Sequence, residues 1–82
     1  MFDIILTKQA KKVLKKLSKK NQEHIISILE RTRIRPHSYF VRLVGKKVYK
    51  ARAGDYRIIA EIHNNELIIL VIKFGHRKNI YK

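Results

Sequence analysis

The hydrophobic period of this chain changes once, at Pro36, and that change constrains the fold more than any other feature. Before it, apolar residues recur at helical spacing. Ala10, Val13, Leu14 and Leu17 stand at i, i+3, i+4 and i+7, and Ile25, Ile28, Leu29 and Thr32 repeat the stripe. Lys11, Lys12, Lys15, Lys16, Lys19 and Lys20 fill the other faces of the first segment, which predicts an amphipathic helix with a cationic back. Thr7 stands where an N-cap belongs, Asn21 is placed to cap the second helix, and Arg35-Pro36 ends it. After Pro36 the period is two. Residues 40–44, 48–52, 56–63 and 67–74 alternate as strands do, separated by the turn-forming pairs Gly45-Lys46, Gly54-Asp55 and Asn64-Asn65. Residues 2–6 add a β-prone run ahead of the first helix. The order β-α-α-β-β-β-β predicts an α+β fold: an N-terminal strand, an α-helical hairpin, then a twisted, mainly antiparallel sheet with both helices on one face.

Turn chemistry fixes which side chains share a face. Glycine first in a two-residue turn suits type II′, so Gly54-Asp55 pairs Ala53 with Tyr56, sets Arg52 opposite Arg57 and sets Lys50 opposite Ile59. Alternation then puts Val48, Lys50, Arg52, Arg57, Ile59 and Glu61 on one face. Tyr49, Ala51, Tyr56, Ile58, Ala60 and Ile62 fall on the other, as core. A two-residue Asn64-Asn65 turn extends the core face to Leu67, Ile69 and Val71, and brings Ile68, Leu70 and Ile72 to the face of Arg57. Lys50, Arg52 and Arg57 thus cluster, with Arg77 just beyond the last strand at the same end of the sheet. Like charges opposed across a sheet are destabilising unless an anion lies among them. A turn of three residues would send Lys50 to the opposite face.

Charge makes the same demand. Twenty Lys and Arg against six Asp and Glu give +14 over 82 residues, while 45% hydrophobic content implies a folded core rather than a disordered polycation. A chain of this length fits one domain, residues 1–82. The absence of cysteine removes disulfides and thiolate chemistry and suits a reducing, cytoplasmic setting. The longest apolar run, residues 67–72, is far below the roughly 20 residues needed to span a bilayer, and Met1-Phe2-Asp3 lacks the basic start of a signal peptide. No membrane association, cofactor or metal is expected, since no His-x-x-x-His pair or carboxylate partner forms a ligand set. Gly45 and Gly54 read as turn glycines, since no Gly-x-x-x-x-Gly-Lys pattern is present.

The stretch Tyr49-Lys50-Ala51-Arg52-Ala53-Gly54-Asp55-Tyr56-Arg57-Ile58-Ile59, followed by Gly75-His76-Arg77 and Tyr81, resembles the RelE/ParE family of bacterial and archaeal toxins. The diagnostic residues begin at Val48; the lysine-rich helical half is generic. The resemblance implies an α+β toxin neutralised by a cognate antitoxin. For the RelE branch it implies an endoribonuclease that cleaves mRNA in the ribosomal A site. Carried over by position, Lys50 matches a strand lysine, Arg57 the arginine of the Gly-x-Tyr-Arg element, Arg77 the arginine after Gly75, and Tyr81 the near-terminal tyrosine. These four are the expected catalytic residues, with Lys46, Lys47, Arg52, His76 and Lys78 as RNA contacts. Where RelE enzymes often carry a second strand lysine, this chain has Val48.

Metal-independent RNA cleavage needs a base for the 2′-hydroxyl, cations for the phosphorane and an acid for the departing 5′-oxygen. Guanidinium holds two phosphate oxygens at once, so Arg57 and Arg77 are the expected charge stabilisers, each contributing about 3 kcal/mol. Lys50, crowded by cations, is the expected proton-transfer group, with His76 as a second candidate. Tyr81 is expected to stack on a base. Three other readings stay open on sequence: a ParE-like, non-enzymatic toxin that poisons DNA gyrase, a basic RNA-binding module without catalysis, and a solvated basic surface. The antitoxin is expected to bring an acidic segment that orders on binding.

Overall fold

The chain leaves its first strand, β1 (Asp3–Leu6), through a residue that serves three elements at once. The Thr7 hydroxyl accepts a hydrogen bond from the Ala10 amide at 3.1 Å, capping helix α1 (Lys8–Lys16), and donates to the carbonyl of Ile72 at 2.6 Å, far along the chain. The cap is the one the sequence predicts. Leu17 ends α1, and Ser18 caps α2 (Lys19–Thr32) by accepting from the Asn21 amide at 3.2 Å. The second helix therefore starts ahead of Asn21: the serine hydroxyl, already at the chain reversal, takes the capping role expected of Asn21. Buried Pro36 opens a single 3₁₀ turn, Pro36–Ser38.

A computed structural model describes residues 1–76. Strands β2 (Val41–Arg42), β3 (Tyr49–Ala53), β4 (Tyr56–His63) and β5 (Ile68–His76) follow the 3₁₀ turn. The sheet order is β1-β5-β4-β3-β2, with β1 parallel to β5 and the other pairs antiparallel. This is the α+β architecture of the expected element order. The run at 40–44 contributes only Val41 and Arg42 to the ladder.

Both helices cover one face, α1 over β5 and α2 over β3. Ala10, Ile25 and Leu29 pack there against Ala51, Ile58, Ala60, Ile69, Val71 and Phe74. Tyr49, Tyr56 and Ile62 border this core, as the alternation predicts. Ile25, Ile58, Ile69 and Val71 are its largest sealed aliphatic side chains, each contributing about 1.5–3 kcal/mol over an exposed position. Buried Thr32 donates its hydroxyl to the Leu29 carbonyl at 2.6 Å, so it enters the core satisfied. Arg33 ties the end of α2 to the start of β1. Its Nε donates to the Phe2 carbonyl at 2.9 Å, its carbonyl accepts from the Phe2 amide at 2.8 Å, and its guanidinium meets Glu30 at 3.0 Å.

The β3–β4 hairpin has the predicted register: Ala53 pairs with Tyr56, Arg52 with Arg57 and Lys50 with Ile59. Gly54 alone of the two turn residues has positive φ, +62°, as a type II′ turn requires. The β4–β5 connection is different. It takes four residues, 64–67, not the two of Asn64-Asn65, and His63 pairs with Ile68. A shift of two residues preserves the side-chain period, so Ile69 and Val71 remain in the core, whereas Leu67 leaves it and is 46% exposed. Leu67 adopts a left-handed φ of 55°, and its carbonyl accepts the Asp3 amide at 2.8 Å. Further along, Ala60 pairs with Val71 but Ile59 pairs with Lys73, so Ile72 is an extra residue in β5. That bulge returns Phe74 to the core.

Candidate nucleic-acid interface

The face of the sheet away from the helices is organised in rows that run across the strands. Arg52 and Arg57 stand side by side with Gly75; Val41, Lys50, Ile59 and Lys73 form the next row; Glu61, Leu70 and Ile5 the third; His63, Ile68 and Asp3 the fourth. Neighbouring rows are about 7 Å apart, two residues of strand rise. Among the described residues of these rows, Lys and Arg occur only in the first two, which hold no carboxylate. Glu61 and Asp3 stand in the other two rows, where Glu61 Oε1 meets His63 Nε2 at 2.9 Å and Asp3 lies 4.0 Å from Arg33. The face is therefore polarised along the strands, with one end suited to an anion.

The hairpin register brings together three of the sequence-derived candidates, Lys50, Arg52 and Arg57. Arg57 is half-buried and its Nε is shielded from water, whereas Arg52 is exposed and donates from Nε to the Gly54 carbonyl at 3.3 Å. Lys50 is also half-buried. Between Lys50 and Lys73, Ile59 is only 8% exposed, although it lies on the helix-free face and outside the main core. Arginines paired directly across two strands repel, and a guanidinium partly withdrawn from water binds an arriving phosphate more strongly than one on an open surface. The arrangement is chemically fit to hold phosphate oxygens and to stabilise added negative charge on phosphorus.

The remaining candidates are dispersed. Lys46 and Lys47 are exposed in the β2–β3 connection, where the Lys46 carbonyl accepts from Arg42 Nε at 3.2 Å. His76 pairs with Tyr56, so it stands on the helix side of the sheet, with its ring edge-on to that of Tyr56 at 5.4 Å. The structure thus sets His76 on the face opposite Arg57. Arg77, Lys78 and Tyr81 lie outside the described residues.

Sequence reasoning missed Lys73, which the bulge carries onto the cationic face. One signal was available. Strict alternation after Ile69 and Val71 makes Lys73 a core residue and Phe74 a surface one, an inversion that burial energetics forbid and one extra residue corrects.

The family model described as the ParE toxin of type II toxin–antitoxin systems, parDE, matches residues 4–81. A search of curated proteins found no match. Among solved structures, the archaeal RelE–RelB complex from Pyrococcus horikoshii superposes with a TM-score of 0.81 at 24% identity, covering 95% of this chain and 97% of that one. The intact E. coli RelBE toxin–antitoxin complex gives 0.78 at 21%, over 93% and 96% of the two chains. The isolated E. coli RelE toxin gives 0.77 at 20%, over 99% and 92%. At such identities these likenesses bear on the fold, whereas the family model spans nearly every residue: the chain belongs to the ParE toxin family of type II toxin–antitoxin systems.

Proposed function

We propose that this toxin is a ribosome-dependent endoribonuclease that cuts mRNA in the A site and is held inactive by a cognate antitoxin. The observation that carries the reading is the convergence of Lys50, Arg52 and Arg57 in two adjacent carboxylate-free rows of the helix-free face. In the proposed reaction the 2′-oxygen attacks phosphorus and the P–O5′ bond breaks, leaving a 2′,3′-cyclic phosphate and a 5′-hydroxyl. Lys50 takes the proton from the 2′-hydroxyl and delivers it to the departing 5′-oxygen, so the proton count closes. Arg57 neutralises the charge that builds on the non-bridging oxygens, a role that needs a fixed bidentate donor. Arg77 and Tyr81 complete the site by the family resemblance, as a second charge stabiliser and a base-stacking platform. His76, on the other face, is a weaker acid–base candidate than the sequence implied. The antitoxin reading is supported by family membership and by fold relatives crystallised with RelB partners. A toxin carrying +14 calls for an acidic partner segment.

Primer extension on a defined mRNA with programmed 70S ribosomes tests this. Wild-type protein is expected to break the message within the A-site codon only when ribosomes are present, and Arg57→Ala to lower the single-turnover rate by about 10²–10³. An intact message under conditions where the protein still arrests growth would overturn the nuclease reading. It would favour the ParE-like alternative, which the description of the matching family supports, and DNA gyrase would be assayed next.

A further inference from the structure

The bulge in β5 does more than correct the core. With Ile72 accommodated as an extra residue, Lys73 stands beside Ile59, on the opposite side from Lys50. The two lysines therefore flank one buried isoleucine from strands two places apart, about 10 Å between backbones. One row along lie Arg52 and Arg57, also adjacent. Four cations thus occupy two neighbouring rows without a carboxylate, on a face no helix covers. Concentrating charge this way opposes folding, and a sheet without the bulge would have no lysine at this place. Bulges recur where a strand re-aims a side chain toward a ligand.

We propose that Lys73 is a phosphate-binding residue, and that the rows Arg52–Arg57 and Lys50–Lys73 form a track for the backbone of single-stranded RNA. The inference rests on the endoribonuclease reading for its choice of RNA and deepens it. Arg57 and Lys50 work at the scissile phosphate, while Lys73 holds a neighbouring one and sets the strand's direction across the sheet. A flexible ammonium suits that task, because it adds charge without demanding the planar geometry of a guanidinium. Its contribution is to binding rather than to the chemical step, and it is insensitive to base sequence.

The test is fluorescence anisotropy with a short, 5′-fluorescein-labelled single-stranded oligoribonucleotide, titrated from about 50 to 200 mM KCl. Four proteins are compared: wild type, Lys73→Gln, Lys73→Arg and Lys12→Gln, the last removing an exposed lysine of α1. Removing one phosphate contact to a single strand makes the log–log salt slope shallower by about 0.7, equally for different sequences. Lys73→Gln is expected to do so, Lys73→Arg to keep the wild-type slope, and Lys12→Gln to leave it unchanged. A packing defect at Lys73 would shift the melting temperature without moving the slope, so melting curves are recorded for each protein. A wild-type slope in Lys73→Gln, a slope reduced only in Lys12→Gln, or no RNA binding by wild type each overturns the proposal. Cleavage on programmed ribosomes is scored in parallel. Wild type that binds through Lys73 yet cuts nothing refutes the nuclease and leaves the track standing, and wild type that cuts while its slope ignores Lys73→Gln refutes the track alone.

Discussion

Thr7 gives this fold most of its early geometry. One hydroxyl closes the first turn of α1 and holds the Ile72 carbonyl, while the Thr7 amide donates to the Val71 carbonyl at 3.0 Å. Losing the hydroxyl removes a cap and leaves a half-buried carbonyl short of its donor. Thr7→Ala is therefore expected to lower unfolding stability by about 1–2 kcal/mol in urea titrations, and Thr7→Ser to recover most of it. The cap was legible because a threonine before a lysine-rich amphipathic run has few other uses. Its second bond was not, since no local rule links residue 7 to residue 72. The candidate site divides the same way: Lys50, Arg52 and Arg57 followed from one turn type, and Lys73 did not.

At the scale of elements, legibility depended on how strongly each turn is specified. Gly54-Asp55 admits one economical geometry, and its strands pair as read. Asn64-Asn65 is an equally good turn signal on paper, yet the chain continues to Leu67 before β5 begins. Hydrophobic alternation registers only odd or even offsets, so a loop longer by two residues leaves the pattern untouched and is invisible to it. Leu67 bears the consequence, a branched side chain at φ 55° where glycine or asparagine is at ease. Because it is exposed, replacing it forfeits little packing. Leu67→Gly is expected to raise stability by up to about 1 kcal/mol, the relief of backbone strain outweighing the added freedom of the unfolded chain. A rise in the midpoint of denaturant unfolding at unchanged m-value checks this.

For the whole molecule, +14 on 82 residues sets two opposing salt responses. Self-repulsion strains the folded state, and screening relieves it. Raising ionic strength from about 0.01 to 0.15 M shortens the Debye length from about 30 to 8 Å, so the melting temperature is expected to climb by several degrees in scanning calorimetry. Over the same range affinity for a polyanion must fall. A melting temperature that dropped with salt would mean that the basic groups are already compensated within the fold.

The parallel seam between β1 and β5 joins positions 65 residues apart, with Asp3 beside Ile68. A ribosome delivers β1 early and β5 late, so the sheet stays open through most of synthesis, and closing so long a loop makes the final step slow. The β3–β4 hairpin, needing only a short loop, can assemble its cations sooner, but the strand that brings Lys73 and seals the core arrives afterward. Nascent chains thus carry an apolar, unpaired β1 through that interval, and folding holds a built-in delay between the making of this protein and its first competent copy.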